Sequence, residues 1–181
     1  MSQVIWHITM SLDGFIAGPD DSMDWAFRSS GPSRTADDVM STTGAILAGR
    51  RWHDVATARY NGRRGIYGGS WDGRVFVLTH RPPDDPEDPE ITFLQGDVPE
   101  AVATAKRAAG DKNLEVFGAS LAAQCLDAGL IDEIVVHVAP VLLGDGVRLY
   151  GEAGERRQVE LERTELEESA EQTSLRFRVK R

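Results

Sequence analysis

Two short segments of the sequence combine glycine with residues that bind phosphate. Gly49-Arg50-Arg51 and Gly118-Ala119-Ser120-Leu121 each follow an apolar, strand-like run and precede a helix-like run. A phosphate group at such a turn would meet free backbone N–H groups and the positive end of the helix dipole. An arginine guanidinium can also fork onto phosphate oxygens. The two segments therefore predict a site for a phosphate-bearing cofactor.

A third segment, Thr79-His80-Arg81, ends another strand-like run and adds an arginine and a histidine. Arginines at adjacent strand ends favour a phosphate ligand, for instance the 2′-phosphate that distinguishes NADP from NAD. Each feature also has a structural explanation, because a single surface arginine is usually solvated and Ser120 could cap a helix after a tight turn. Together, the three segments favour the phosphate site.

Asp13 is the candidate catalytic and substrate-binding residue. It follows the first strand directly, so its carboxylate could lie beside a reacting heterocycle and supply a proton, itself or through a water. The alternative is a turn in which Asp13 bonds to its own backbone and Gly14 has a positive φ. Asp24, Asp37 and Asp38 are further carboxylates that could face a pocket, and the sequence does not rank them.

The histidines and the cysteine are predicted to be structural. His7 and His137 lie inside apolar runs and are predicted to pack in the core, and His53 follows a helix start. No HxxxH or HExxH spacing predicts a metal site, and no GxSxG elbow or Cys/His pairing indicates a nucleophilic hydrolase. Cys125, the single cysteine, lies in an apolar run and is predicted to be buried.

Composition and charge limit the classes of partner. The chain has 181 residues and a formal net charge of -9, whereas nucleic-acid binding needs clustered Lys and Arg. No apolar stretch approaches the roughly 20 residues needed to cross a bilayer, and the opening lacks the pattern of a secretory signal. We therefore expect one domain over residues 1–181, no nucleic-acid or membrane partner, and a cytoplasmic location.

The periodicity of the apolar residues predicts alternating strands and helices. Strands are predicted over residues 4–10, 45–48, 74–79, 91–94, 114–117 and 133–138. Helices are predicted over residues 35–44 with Thr35 as the cap, 51–58, 99–109 and 120–128, and loops over residues 18–34, 61–73, 82–90 and 139–146. This alternation is typical of an α/β sheet, whose strand ends can hold a nucleotide.

The end of the chain has a different pattern. Apolar and basic residues alternate over residues 175–180, and apolar and acidic residues alternate over residues 159–162. A period of two indicates strands with one polar face, and the opposite charges fit an antiparallel pair with ion pairs between the strands. The sheet is therefore predicted to finish in an antiparallel edge.

With these segments in order, the chain resembles the dihydrofolate-reductase-like superfamily. Within it, the chain is similar to the C-terminal reductase domain of the bifunctional riboflavin-biosynthesis deaminase/reductase. The resemblance covers nearly the whole chain and rests on four motifs: Ser11-Leu12-Asp13-Gly14-Phe15-Ile16-Ala17, Leu47-Ala48-Gly49-Arg50-Arg51, Val116-Phe117-Gly118-Ala119-Ser120-Leu121 and Pro140-Val141-Leu142-Leu143-Gly144-Asp145-Gly146. The chain departs from the pattern at Phe15, where the riboflavin-pathway enzymes usually carry a basic residue.

The resemblance implies a three-layer α/β/α fold with a mixed, mainly parallel sheet and an antiparallel C-terminal strand. It also implies NADPH as the hydride donor, and a homodimer. By position, it places Ala17 and Gly18 on the loop that closes over the nicotinamide, Asp13 near the substrate and Trp25 as an aromatic wall. It assigns the cofactor phosphates to Gly49, Arg50 and Arg51, the adenosine 2′-phosphate to Thr79, His80 and Arg81, and the pyrophosphate to Gly118, Ala119, Ser120 and Leu121.

The leading hypothesis is an NADPH-dependent reductase of a planar nitrogen heterocycle. The resemblance implies an activity like that of 5-amino-6-(5-phosphoribosylamino)uracil reductase or of dihydrofolate reductase. The cofactor would carry the hydride, and the protein would orient and polarise the substrate. Two alternatives stay open: a nucleotide-binding module without turnover, and a reductase that binds FMN in place of NADPH.

Overall fold

The chain folds as alternating strands and helices. The computed structural model describes residues 2–84, 88–151 and 158–180. Its strands are β1 (Val4–Ser11), β2 (Phe15–Ala17), β3 (Thr43–Gly49), β4 (Arg74–Leu78), β5 (Ile91–Leu94), β6 (Asn113–Phe117), β7 (Glu133–Ala139), β8 (Val147–Arg148), β9 (Leu161–Glu168) and β10 (Thr173–Val179). Its helices are α1 (Asp24–Arg28), α2 (Arg34–Thr42), α3 (Arg50–Arg59), α4 (Val98–Ala109) and α5 (Ala119–Asp127), with a 3-10 segment (Gly62–Gly69) after α3. None of the helices in the described ranges is long and apolar enough to cross a membrane.

The large sheet is mixed and mainly parallel, as predicted. Its eight strands lie in the order β5-β4-β3-β6-β1-β7-β10-β9. The first six pair in parallel, whereas β10 pairs antiparallel with both β7 and β9. The central strands are buried on both faces, which explains their almost continuous apolar runs. β2 and β8 form a separate two-stranded sheet.

Helices cover both faces of the sheet and give the predicted three layers. Trp6 faces the layer of α4 and α5, where Ala105 and Cys125 belong to the same core. Its neighbour Ile5 faces the opposite layer and packs with Val39 of α2. Successive residues of a strand point to opposite faces, so one apolar strand serves both cores. Cys125 is buried, as predicted.

The C-terminal strands form the predicted antiparallel pair. Arg178 Nη1 lies 3.3 Å from Glu162 Oε2, and Arg176 Nε lies 3.5 Å from Glu165 Oε2. These contacts join β10 to the edge strand β9, so the opposite charges read from the sequence do face each other across the two strands.

Several local predictions differ from the structure. α2 begins one residue earlier, at Arg34, and Ser33 rather than Thr35 caps it, because the extended backbone of Ser33 lets its Oγ accept from the Ala36 N–H at 3.2 Å. The predicted loop 18–34 contains α1, and the predicted loop 61–73 contains the 3-10 segment. Both elements are short and are held by packing rather than by their own periodicity. Residues 85–87 of the predicted loop 82–90 lie outside the described residues.

Candidate functional site

A cleft of about 1370 Å³ lies where the parallel strands end. The residues that follow β3, β4 and β6 line one end of it, together with the first turns of α3 and α5. Ligands of open parallel sheets bind outside the carboxyl ends of the strands, which is this position. The cleft also reaches the side chains of His7, Tyr67 and His137. Its lining therefore joins a glycine- and arginine-rich part to a part lined by imidazole and phenol groups.

Both α3 and α5 begin at a glycine on the cleft. Gly49 precedes α3 with an extended backbone, and Gly118 precedes α5 with a φ of 95°, which favours glycine. A Cβ at Gly118 would lie 3.5 Å from Trp52 Cβ and 3.8 Å from the Gly49 nitrogen, so the two turns are adjacent. Among the described residues, no side chain caps either helix. The N–H groups of both first turns are therefore left for a ligand.

Three arginines bring positive charge to the same part of the cleft. Arg50 Nε donates to Asp54 Oδ1 at 2.7 Å, and its Nη1 donates to the Arg81 carbonyl oxygen at 2.6 Å. Arg51 pairs with Asp21, also on the cleft, at 2.7 Å. Arg81 has no ion-pair partner within residues 2–84, 88–151 and 158–180. Arg81 therefore offers a guanidinium that no described carboxylate neutralises.

The structure brings almost all of the predicted cofactor-binding residues together on the cleft. Gly18 is the exception, since it lies in a turn where its N–H donates to the Ser22 carbonyl oxygen at 2.9 Å. Ala17 is on the cleft and is approached closely by Gly146, where a Cβ would overlap the Ala17 carbonyl oxygen. The predicted residues that line the cleft are Ala17, Gly49, Arg50, Arg51, Thr79, His80, Arg81, Gly118, Ala119, Ser120 and Leu121.

The carboxylate of Asp13 holds a loop and does not line the cleft. Ser11 Oγ donates to it at 2.6 Å, and the N–H groups of Leu143 and Gly144 donate at 3.1 and 2.7 Å. The Ser11 hydroxyl, followed by these N–H groups, lowers the pKa of Asp13 to about 2. A carboxylate ionised at neutral pH and outside the cleft has no proton to give there. The structure therefore places the Asp13 carboxylate on the loop at Leu143 and Gly144, and not on the lining of the cleft.

Trp25 is also placed away from the cleft. It is buried against Ala139 rather than forming the predicted aromatic wall. Of the carboxylates considered from sequence, Asp37 lines the cleft and Asp24 and Asp38 do not. The aromatic side chains that line it are Phe27, Trp52, Tyr60, Tyr67 and Phe117.

Five buried or half-buried side chains, Glu115, Tyr67, His7, His137 and Ser174, form a continuous hydrogen-bonded row, which we call the polar row. Tyr67 Oη donates to Glu115 Oε1 at 2.8 Å, and His7 Nδ1 lies 2.6 Å from Tyr67 Oη. His7 Nε2 lies 2.6 Å from His137 Nε2, and His137 Nδ1 lies 2.7 Å from Ser174 Oγ. His7, Tyr67 and His137 lie on the cleft, so the row forms part of its wall.

Sequence reasoning missed this row. His137 is buried, as predicted, but it and His7 form hydrogen bonds along the cleft instead of packing only against apolar groups. One signal was available: Glu115 is a carboxylate inside the apolar strand β6, and a fully buried charge requires partners. Nothing in the sequence indicated which residues those partners are.

Residues 2–175 match the family described as the RibD C-terminal domain. The chain is 27% identical over 166 residues to the uncharacterised protein YwjB of Bacillus subtilis (strain 168), a match that covers 90% of both chains. A candidate riboflavin biosynthesis protein of Shewanella sp. PV-4 is similar in structure, with a TM-score of 0.80 and 24% identity over 99% of each chain. Dihydrofolate reductase from Enterococcus faecalis complexed with NADP(H) is similar at a TM-score of 0.62 and 10% identity, covering 98% of this chain and 96% of that one. These structural similarities show a dihydrofolate-reductase-like fold, and the match over residues 2–175 shows that the chain belongs to the RibD C-terminal domain family.

Proposed function

We propose that this protein is an NADPH-dependent reductase of a nitrogen heterocycle. The observation that carries the proposal is the pair of adjacent helix starts at Gly49 and Gly118, beside Arg50, Arg51 and Arg81 in one cleft. Membership of the RibD C-terminal domain family and the likeness to a reductase complexed with NADP(H) support the same cofactor. Bound NADPH would supply a hydride for a C=N or C=O group.

The two helix starts suit the phosphates of such a cofactor. A diphosphate needs several N–H donors and a backbone that it can approach closely. The first turn of α5 offers the N–H groups of Ala119, Ser120 and Leu121, and no described side chain caps it. Gly49 and Gly118 place no side chain at the position before each helix, and the Ser120 hydroxyl is a further donor on the cleft.

Arg81 is the residue best suited to a 2′-phosphate. The guanidinium of Arg50 is already shared between Asp54 and the Arg81 carbonyl oxygen, so Arg50 positions the backbone of Arg81. Thr79 Oγ1 accepts from the Arg81 N–H at 3.1 Å and fixes the same turn. With its backbone held in this way, Arg81 can extend its guanidinium to form charge-assisted hydrogen bonds to a phosphate that NADPH has and NADH lacks.

The heterocycle would occupy the part of the cleft beside the polar row. Met40, Ile66 and Phe117 supply apolar and aromatic surface there, and Tyr67 and His137 supply polar groups. Binding sites for small planar molecules combine a mostly apolar lining with a few placed polar groups, which set the orientation of the ligand. The substrate class that we propose is therefore a pyrimidine or pteridine ring, as in the two activities to which the resemblance points.

The test is a calorimetric titration of the protein with NADPH and NADH, repeated on Arg81→Ala. A hydrogen bond to a charged group contributes about 1.5–3 kcal/mol, so we expect Arg81→Ala to weaken NADPH binding by roughly tenfold to 150-fold. NADH binding should change little. The matched control is Arg107→Ala, at the far end of α4, which should leave both affinities unchanged.

Two results would contradict the proposal. Failure to bind either nicotinamide cofactor would rule out an NADPH-dependent reductase, and a parallel titration with FMN would then test the flavin alternative. An equal loss of NADPH and NADH affinity in Arg81→Ala would show that Arg81 does not contact a 2′-phosphate. Turnover with NADPH and a panel of pyrimidines and pteridines separates a reductase from a nucleotide-binding module.

A further inference from the structure

The polar row crosses four neighbouring strands on one face of the sheet. Glu115 lies on β6, His7 on β1, His137 on β7 and Ser174 on β10, and the sheet order places these strands side by side. The relative exposure is 0% for Glu115, 4% for His137 and 2% for Ser174. Strands buried on both faces are normally apolar, and a buried polar group is costly unless hydrogen-bonded. The row is therefore a departure from the apolar pattern of the central strands.

The contacts around Glu115 place one hydrogen on His7. Burial, and then the charge of Glu115, raise the pKa of Tyr67, so its hydroxyl keeps its hydrogen and donates it to the carboxylate. His7 Nδ1 lies 2.6 Å from Tyr67 Oη and 3.1 Å from Glu115 Oε1. Both oxygens act as acceptors toward the ring, and His7 Nδ1 therefore carries a hydrogen.

The other nitrogen of His7 shares a proton with His137. The two Nε2 atoms lie 2.6 Å apart, and they need one hydrogen between them, because two lone pairs would repel and two N–H groups would clash. With that hydrogen on His7, His7 is an imidazolium and His137 Nδ1–H donates to Ser174 Oγ. With it on His137, both rings are neutral and Ser174 donates to His137 Nδ1 across the same 2.7 Å. The two states differ by one proton and need only a rotation of the Ser174 hydroxyl.

The surrounding charges favour His7 as the ring that carries the extra proton. Burial, and then the neighbouring His7, lower the pKa of His137 to about 3, against a smaller opposite effect of Glu167. His7 instead faces the Glu115 carboxylate, which stabilises a positive charge on it. The titratable groups around the pair are Glu115 from β6, Tyr67 from the 3-10 segment, Glu167 from β9, and Asp37 of α2 on the same cleft.

Tyr67 reaches the row through an unfavourable backbone conformation. Its φ of 51° and ψ of 37° are left-handed, and Gly68 and Gly69 after it also have positive φ. A residue other than glycine held in such a region stores backbone strain, and such residues cluster at functional sites. This conformation places the Tyr67 hydroxyl within hydrogen-bond distance of Glu115 and His7. The strained backbone at Tyr67 is therefore part of the polar row.

We propose that the His7–His137 pair is the proton donor for the reduction, with Glu115 and Tyr67 as positioning residues. This inference rests on the proposed function, since a reductase of a C=N or C=O group needs one proton for each hydride. The hydride and its electron pair come from NADPH and form the new C–H bond. The shared proton moves from His7 Nε2 to His137 Nε2 as the His137 Nδ1–H bond breaks, and the released proton forms the new N–H or O–H bond of the product, directly or through one water. Both rings are then neutral, with one hydrogen between the two Nε2 atoms.

The row also contains a route by which the pair can regain its proton. Ser174 Oγ lies 3.5 Å from Ser33 Oγ, and Ser33 Oγ donates to Glu167 Oε2 at 2.9 Å. The side chain of Glu167 is 14% exposed, so this chain of contacts leads from the buried pair to the solvent. Each hydroxyl can accept a hydrogen on one side and donate one on the other.

The test is nuclear magnetic resonance of the imidazole nitrogens in cofactor-free, ¹⁵N-histidine-labelled protein over a pH titration. His7→Gln and His137→Gln assign the signals. We expect His7 Nδ1 to stay protonated, His137 to stay neutral, and the pair to take up one proton at His7 Nε2 as the pH falls. Glu115→Gln should move that uptake to lower pH. Glu133→Gln is the matched control, because it removes another buried carboxylate on the same face, outside the row, and should leave the uptake unchanged.

A turnover assay adds a readout that a structural role would not change. In the reduction of any pyrimidine or pteridine that the protein turns over, His7→Gln should lower kcat by roughly 10²–10⁴-fold and abolish the pH dependence of kcat that follows the pair. The affinity for NADPH should stay within about twofold of the parent value, because the polar row is not part of the proposed phosphate site. Tyr67→Phe gives the smaller loss expected of a positioning residue.

Each outcome bears on one proposal at a time. If both rings stay neutral wherever the protein is folded, or if His7→Gln keeps the parent kcat and pH profile, the pair is not the donor. The resonance result is independent of the proposed function, because that experiment uses no cofactor. Conversely, failure to bind NADPH would overturn the proposed reductase function, whereas the measured protonation states of His7 and His137 would remain valid.

Discussion

Replacing Gly118 by alanine should lower both the stability of the protein and its affinity for NADPH. The backbone at Gly118 has a φ of 95° and a ψ of 129°, a region that other residues rarely adopt. The added Cβ would meet Trp52 Cβ at 3.5 Å, an ordinary contact, so the cost comes from the backbone and not from a clash. Such a conformation costs about 1–3 kcal/mol in a residue other than glycine.

Part of this cost is offset in the unfolded chain, where alanine has less conformational freedom than glycine by about 0.4–1 kcal/mol. We therefore expect a net loss of about 1–2 kcal/mol in the free energy of unfolding. For a domain of this size, each kcal/mol lowers Tm by roughly 2–4 °C, so Tm should fall by about 2–8 °C. Thermal unfolding followed by circular dichroism measures this change. Calorimetry measures the accompanying loss of NADPH affinity, because relaxation of the turn moves the N–H groups of α5.

Gly129→Ala is the matched control. Gly129 follows α5, has a φ of 68° and does not line the cleft. Apart from its two chain neighbours, no described residue has a heavy atom within 4 Å of an added Cβ. It should lose stability through the same kind of strain and keep the parent NADPH affinity. A Gly118→Ala protein with unchanged Tm and affinity would refute the reasoning. Equal loss of affinity in both variants would show that affinity follows general stability instead of the α5 turn.

Two further predictions concern titratable groups away from the phosphates. The Thr35 N–H, first among several hydrogen bonds, lowers the pKa of Glu167 from 4.5 to about 2. The unfolded state therefore binds this proton more readily, and the free energy of unfolding falls as the pH drops through that window. Glu167→Gln should reduce the pH dependence of the free energy of unfolding by urea in this window, and an unchanged pH dependence would contradict the assignment. Burial raises the pKa of Cys125 to about 12, so a thiol reagent at about pH 8 should label it only after unfolding; rapid labelling of the folded protein, detected by mass spectrometry, would show that the thiol is accessible.

The sequence was most informative where structure depends on neighbours in the chain. The parallel strands and most helices follow from apolar periodicity, because a residue's position along a strand or helix sets which face it presents. The start of α2 was missed by one residue, since Ser33 and Thr35 are both good caps and only the backbone at Ser33 decides between them. Short elements such as α1 carry too few residues for a period to be read, and packing determines them.

The candidate cofactor site divides in the same way. The glycine turns at Gly49 and Gly118 could be located because strand, turn and helix are consecutive in the chain. The contacts of Asp13 could not be predicted, because the N–H groups that bind its carboxylate belong to Leu143 and Gly144, about 130 residues further along the chain. A carboxylate beside a strand end has the same sequence pattern whether it faces a cleft or closes a loop.

By itself, the sequence determined the alternation of strands and helices, the antiparallel end of the sheet and the turns that suit phosphate. Only the tertiary structure decided that the Nε2 atoms of His7 and His137, 130 residues apart in the chain, lie 2.6 Å apart beside a cleft. The order β6-β1-β7-β10 brings their strands and that of Glu115 together, and this order is not the order of the chain. Local periodicity tells which face a side chain occupies, whereas the identity of its partner depends on which strands become neighbours.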